Sequence, residues 1–385
     1  MRLPRDNPRE FLSRISPFIE RDGGRNMLDV SSQLNIPYET IRRRFQDLRS
    51  KGISIIPMIS PESLGLKRFR VFFSLPDDTI HLKALFGSMN QFAGLTYYGR
   101  DITTQSFESE FWTPNNMDQE FQKILRGMEE MKLIEGLSLR EIVWKDILKM
   151  KTHLFDYESG EWNVDFQRLV GDPSLDVPKT DHGIGQTVSS LSGKVDHIDL
   201  LIIKSLQINL SVHIVELADQ IKVTDRDIAY HLNRHVLGRK QVSGFRFKWI
   251  GSKDAWSKHT ITPISLHFRD IDSTDQAHAM SILTALPFTW VHFLTADNGY
   301  ASELLIPVSS LNETMQYLSS MFRKYQLSPR FSFVDWSCTS TYTIPYQLHD
   351  AEAGWQLNAE SGLGQILGVI AEHNSDRTRK QHQAS

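Results

Sequence analysis

The chain of 385 residues contains one cysteine, Cys338, which excludes an internal disulfide framework and a multi-cysteine zinc site and fits a reducing compartment. Long apolar runs are missing as well. None approaches the roughly 18 residues of a membrane span, and the opening MRLPRDNPRE lacks the apolar stretch of a signal peptide, so a cytoplasmic location is expected. Neither sign of charge dominates. With a net charge of −3, any contact with nucleic acid must come from local basic surface rather than from the field of the whole chain. Catalytic motifs are incomplete: SSLSGKV (189–195) lacks the glycine spacing and the hydroxyl residue of a phosphate loop, no G-x-S-x-G occurs, and Cys338 has no evident base beside it. The composition, 40% hydrophobic and 23% charged, is that of a globular chain long enough for two to four cored domains.

What is present is a repeat. LDVSSQLNIPYETIRRRFQDL (28–48) and VELADQIKVTDRDIAYHLNRH (215–235) lie over each other at an offset of 187 residues, apolar on apolar, without a gap. Around the first, apolar residues recur at helical spacing in three short segments, the last carrying Ile41, Phe45 and Leu48, and the extended ISIIPMI follows. This is the outline of a helix-turn-helix with a β wing, and the second copy repeats it, with Thr224 and Asp227 spaced as a capping box. At 100° per residue the third helix of each copy, Tyr38 to Arg49 and Asp225 to His235, turns a polar face outward. The expected DNA-binding residues are Tyr38, Glu39, Arg42, Arg43, Gln46, Arg49 and Lys51 in the first copy, and Arg226, Tyr230, Asn233, Arg234, Arg239 and Lys240 in the second. Arg246 and Lys248 on the second wing are expected to meet phosphates. His231 and His235 stand one helical turn apart, as metal ligands do. His235 falls where Leu48 lies in the first copy, however, so both are read as packed or partner-bonded, and no metal or other cofactor is assigned.

Each helical unit is followed by strand, helix, two strands, helix and strand, the βαββαβ order of a ferredoxin-like unit. Ser109-Glu110-Phe111 falls on Ser302-Glu303-Leu304, Met128 on Met321 and, with one deletion, Trp144 on Trp336. The expected fold is therefore α+β: a tandem of two winged helix-turn-helix domains (8–60 and 195–251), each followed by a ferredoxin-like domain (62–152 and 260–349). A linker (156–194) carries a short docked piece around Trp162 to Leu169, and a polar C-terminal tail (350–385) carries a helix at 362–373.

Asp196, Asp199, Leu206-Gln207, Asn209, Glu216-Leu217-Ala218 and Gly244 resemble the opening pattern of the Lrp/AsnC family of transcription regulators. The resemblance implies a non-catalytic, sequence-specific binder of double-stranded DNA that senses a small-molecule effector between its ferredoxin-like domains. It places Gly99, Arg100, Asp101, Asp297, Asn298 and Gly299 near the effector or oligomer contact. It also implies pairing of the two sensing sheets, here within one chain as a pseudo-dimer on which any homo-oligomer would be built, with no membrane partner. A second resemblance, to sirohaem decarboxylases of the same architecture, implies an enzyme using Tyr97, Tyr98, Arg100 and His292, although the paired histidines expected of it are missing. A non-catalytic interaction module is the third alternative.

Overall fold

The computed structural model describes residues 8–50, 53–76, 81–156, 161–175, 195–210, 214–248 and 261–384. Helices α1 (Pro8–Asp22), α2 (Met27–Leu34) and α3 (Tyr38–Ser50) open the chain. Leu12, Ile15 and Ile19 form the buried stripe of α1, and Ile41, Phe45 and Leu48 that of α3, at the three- and four-residue spacing that turns one face of a helix inward. Asn35, left-handed at φ 52°, stops α2 by donating its N–H to the carbonyls of Ser31 and Ser32. Strand β1 (Ser54–Ile59) follows. The first αβ unit is β2 (Leu66–Ser74), α4 (Leu82–Ala93), β3 (Leu95–Asp101), β4 (Phe107–Pro114), α5 (Asp118–Glu130) and β5 (Glu135–Ile147).

The connector supplies β6 (Phe155–Asp156), β7 (Glu161–Trp162) and α6 (Phe166–Val170), docked by Trp162 edge-on to Phe288 at 5.8 Å. Its continuation, 176–194, lies outside the described residues. The second half brings α7 (His197–Ile208), α8 (Ile214–Ile221) and α9 (Asp225–Tyr230), the last with both halves of the Thr224–Asp227 capping box formed. Where one uninterrupted helix was expected, α9 passes into a π-helical segment, His231–Leu237, in which His231 and His235 reach a single buried carboxylate, that of Asp199. Then come β8 (Val242–Lys248), β9 (Ile261–Phe268), α10 (Ser273–Ala285), β10 (Thr289–Thr295), β11 (Tyr300–Pro307), α11 (Leu311–Lys324), β12 (Arg330–Thr341), the small pair β13 (His349–Asp350) and β14 (Gly354–Trp355), and α12 (Ala359–Ala384). No described helix is long and apolar enough to cross a membrane.

The two αβ units do not remain separate sheets. The eight long strands close into one barrel in the order β10-β11-β9-β12-β3-β4-β2-β5. Closure follows from strand length. The 13-residue β5 pairs through its first part with β2, up to Ile142 opposite Arg68, and through its second part with β10, ending with Ile147 opposite Val291. The 12-residue β12 likewise runs from β9 onto β3. Alternation along each strand then sets two faces. In β2, Phe69, Val71 and Phe73 are buried with α4 and α5, and Arg68, Arg70 and Phe72 turn into the lumen.

One other expectation is corrected, that Arg246 and Lys248 meet phosphates. The two wings do not stand apart: β1 and β8 pair with each other, antiparallel, Ser54 opposite Lys248. This pairing turns the second wing against the barrel, so Lys248 sits by the ring of Trp290 at 5.8 Å, its ammonium pushed down by burial. Arg246 is half-buried beside Asp146, so neither is a free phosphate contact. The helix expected at 362–373 lies within α12. Helix α12 packs Ile366 and Ile370 into the core under α4 and α5, and the Ala359 N–H donates to Glu120 Oε2 at 2.9 Å.

Gly94 shows how tightly the first unit is drawn. It ends α4 at φ +80°, and a Cβ there would sit 2.3 Å from the carbonyl oxygen of Trp112, whose N–H donates back to Gly94. Gly136, at φ +65°, has open space around its Cβ position. Gly94→Ala is expected to cost ~3 kcal/mol and Gly136→Ala only ~1 kcal/mol in guanidinium chloride unfolding, since the left-handed conformation alone costs about 1–2 kcal/mol. Equal losses would show that the carbonyl contact is absent.

A candidate active site in the barrel

The alternation that buries phenylalanines on one face of β2 (LKRFRVFFS) and β4 (FESEFWTP) turns Arg70, Glu108 and Glu110 inward. Arg70 is the centre of the result. Only 1% exposed, it donates from Nε to Glu108 Oε1 at 2.7 Å, from Nη1 to Glu110 Oε2 at 3.4 Å, and from Nη2 to Glu303 of the other half. Its guanidinium also lies over the rings of Tyr97 and Phe293, at 5.1 and 4.9 Å. Glu110 accepts further from Lys145 Nζ at 2.5 Å and Trp112 Nε1 at 2.9 Å. The repeat equivalence of Glu110 and Glu303 thus becomes a spatial one around a single cation.

These groups set one another's charge. Burial alone would push the Glu110 carboxyl up, but Lys145 and Arg70 outweigh it and hold it down at about 2. Glu108 is held well below the usual carboxylate range in the same way, by Arg70 and His267 against the effect of burial. Burial would lower the Arg70 guanidinium, but Glu108, Glu303 and their neighbours raise it further above its ordinary value. Burial, reinforced by Glu303, keeps the Tyr97 phenol protonated far into alkali.

On one side the lumen opens as a small cleft, with room for little more than a water molecule, lined by Arg70, Phe72, Arg140, His267, Thr295 and Gly299 among others. His267 is set edge-on to Phe72 at 5.5 Å, and its Nε2 lies 3.3 Å from Glu108 Oε2, within ion-pair range but out of line for a hydrogen bond. Arg140 reaches Asp297 at 3.5 Å, a carboxylate whose side chain is 55% exposed.

Of the residues expected at an effector site, Gly299 lines this cleft, Asp297 sits at its rim and Asn298 turns between them at φ 56°. Gly99, Arg100 and Asp101 lie at the other seam, where β3 meets β12 and Arg100 pairs with Asp335 at 2.6 Å. The four residues named for the enzyme alternative are scattered. Tyr97 faces Arg70, whereas Tyr98 stacks on Phe86 at 3.8 Å on the helix side and Arg100 belongs to that other seam. His292 is fully engaged by Tyr300 Oη at 2.6 Å and Thr284 Oγ1 at 3.1 Å. The expected DNA-binding residues sit on the helical units. Tyr38, Arg43, Gln46, Arg226, Tyr230, Asn233, Arg234 and Lys240 are exposed, Arg239 is half-buried, Arg42 pairs with Glu39 at 2.9 Å, and Arg49 lies on the last turn of α3. Lys51 is outside the described residues.

Sequence reasoning passed over Arg70, Glu108, Arg140, Lys145, Glu303 and His267. The available signal was charge at every second position of strands otherwise rich in phenylalanine. Such a pattern places charge on one face, and two covered faces make that face a lumen.

No protein-family model and no curated protein matches this chain. Among solved structures it is similar to the siroheme decarboxylase NirDL, at 10% identity and a TM-score of 0.55, over 94% of this chain and 99% of that one. The same protein in complex with an iron-uroporphyrin III analogue is similar at a TM-score of 0.56 and 10% identity, over 93% and 99% of the two chains. At this identity the likeness is one of fold. The expectation of a non-catalytic chain is corrected on this finding, because the solved protein that shares the architecture along nearly the whole of this chain is an enzyme.

Arg70→Met leaves Glu108 buried without its principal partner and is expected to cost about 3–5 kcal/mol at neutral pH. In the parent, a carboxyl held below its ordinary value contributes stability above about pH 4.5, lost as pH falls toward 2. In the variant, burial without Arg70 raises the Glu108 carboxyl, so protonation favours its native state and the gap should narrow with acid. Denaturant unfolding of both proteins between pH 7 and pH 3 tests this, and a gap independent of pH would contradict the charge assignment.

Proposed function

We propose that this chain is a decarboxylase acting on a carboxylate-bearing tetrapyrrole, with its reaction centre at the open side of the barrel lumen. The observation that carries the proposal is the filling of that lumen. A small barrel is ordinarily closed by packed side chains, whereas here Arg70, Arg140, Lys145, His267 and Tyr97 share it with carboxylates beside an open cleft. The likeness of fold to siroheme decarboxylase supports the choice of substrate class.

The chemistry asks for three things, and the residues offer each. A substrate carboxylate needs a cation with a replaceable partner. Arg140 fits, because its ion pair with the solvent-facing Asp297 is of a kind worth little. Breaking the carbon–carbon bond to release carbon dioxide leaves an electron pair on carbon, which the macrocycle delocalises and a proton must quench. His267 at the cleft is the candidate donor, oriented by Glu108, and the protonated Tyr97 phenol lies deeper in. Water must be kept from the reacting atoms, which the ring itself would do when seated over the mouth. The cleft has room for little more than a water molecule, so it would receive at most the carboxylate end of one arm and leave the ring at the mouth, by Phe72.

Visible titration with iron uroporphyrin III tests the proposal. Saturable binding of one tetrapyrrole per chain is expected, with Arg140→Ala weakening it by about 10- to 100-fold. His267→Gln should keep binding but slow carboxyl loss, followed by mass spectrometry, by about 10²–10⁴-fold. Absence of any saturable spectral change would refute it, and binding of duplex DNA instead would return the chain to the regulator reading.

A further inference from the structure

The second helical unit holds a cluster that the barrel chemistry does not use. Asp199, on the first turn of α7, is completely buried. Two imidazoles converge on it from the π-helical segment. His231 Nδ1 is 2.8 Å from Asp199 Oδ1, and His235 Nδ1 is 3.2 Å from both carboxylate oxygens. The three ligand-type atoms lie within 4.8 Å of one another, and both histidine side chains keep 13% exposure, enough for an ion to enter. A fourth group points at the same place. Gln241, 2% exposed just before β8, approaches Asp199 Oδ2 with its amide nitrogen at 3.4 Å, while its amide oxygen has no hydrogen-bond partner. A buried amide oxygen without a donor is costly, and rotating that amide by half a turn would aim the oxygen at the cluster.

We propose that Asp199, His231 and His235 form a zinc site, with Gln241 or water as fourth ligand, that clasps α7 to the end of the third helix. Two imidazoles and one carboxylate suit zinc better than calcium or magnesium, which prefer sites made wholly of oxygen. The spacing agrees. Ligands about 2.0–2.1 Å from a tetrahedral ion stand about 3.3 Å from one another, close to the 2.8 and 3.2 Å seen between the imidazoles and the carboxylate. Residues four apart share one side of a helix, and the π turn in which these two sit is a kind that concentrates at functional sites. The rings of the two histidines are T-shaped at 4.7 Å, and that of Tyr230 packs edge-on against both.

The test uses the full chain, stripped with a chelator and titrated with zinc sulfate in a calorimeter, and with cobalt(II) read by its visible absorption. One equivalent of zinc is expected, with a cobalt spectrum of tetrahedral intensity. His231→Asn and His235→Asn should each weaken zinc binding more than about tenfold. His349→Asn, at the separate His197–His349 pair, should leave it unchanged. Absence of stoichiometric zinc binding by the parent protein would overturn the proposal whether or not the variants fold, as would binding that survives both cluster variants or is lost with His349→Asn.

Discussion

One buried guanidinium ties the molecule together. Arg70 sits where both halves of the chain contribute charge, Glu108 and Glu110 from the first and Glu303 from the second, and none of the four would be stable there alone. The strands that bring these groups together are the same strands that close the barrel. Opening a seam would therefore expose apolar surface and also leave ionised groups without counter-charges in a water-poor space. The lumen is polar because the cluster is complete, and the cluster is complete because the halves are joined.

Much of this was legible from residue pattern. The repeat, the βαββαβ order and the capping box at Thr224 all depend on interactions local in sequence, such as helical spacing, alternation along strands, or a side chain reaching three residues ahead. The seams were not legible. Whether β5 stops at the edge of its own sheet or runs on to β10 is decided by which edge lies opposite Ile147, a property of the assembled barrel and not of the segment GLSLREIVWKDI. The charged lumen was missed for the same reason. Arg70 and Glu108 read as surface residues until the far side of their sheet is known to be covered.

The helical units illustrate a related limit. Periodicity correctly turned Ile41, Phe45 and Leu48 inward, but it could not foresee that the two wings would pair with each other and carry Lys248 against Trp290. Basic residues near the end of a helix-turn-helix pattern look like phosphate contacts only while the wing is assumed to stand free. The same pairing ties the two helical units into one body through a strand ladder, so neither turns without the other.

The duplication has one further consequence. Two identical copies facing each other across a twofold axis must build both junctions alike, so whatever happens at one happens at the other. A single chain carrying two diverged copies is released from that symmetry. Here the β3–β12 junction is fastened by Arg100 and Asp335, while the β5–β10 junction carries a looser pair, Arg140 and Asp297, at the rim of the cleft. Fusion let one junction become a rivet and the other the border of a cleft, a division of labour closed to a symmetric pair.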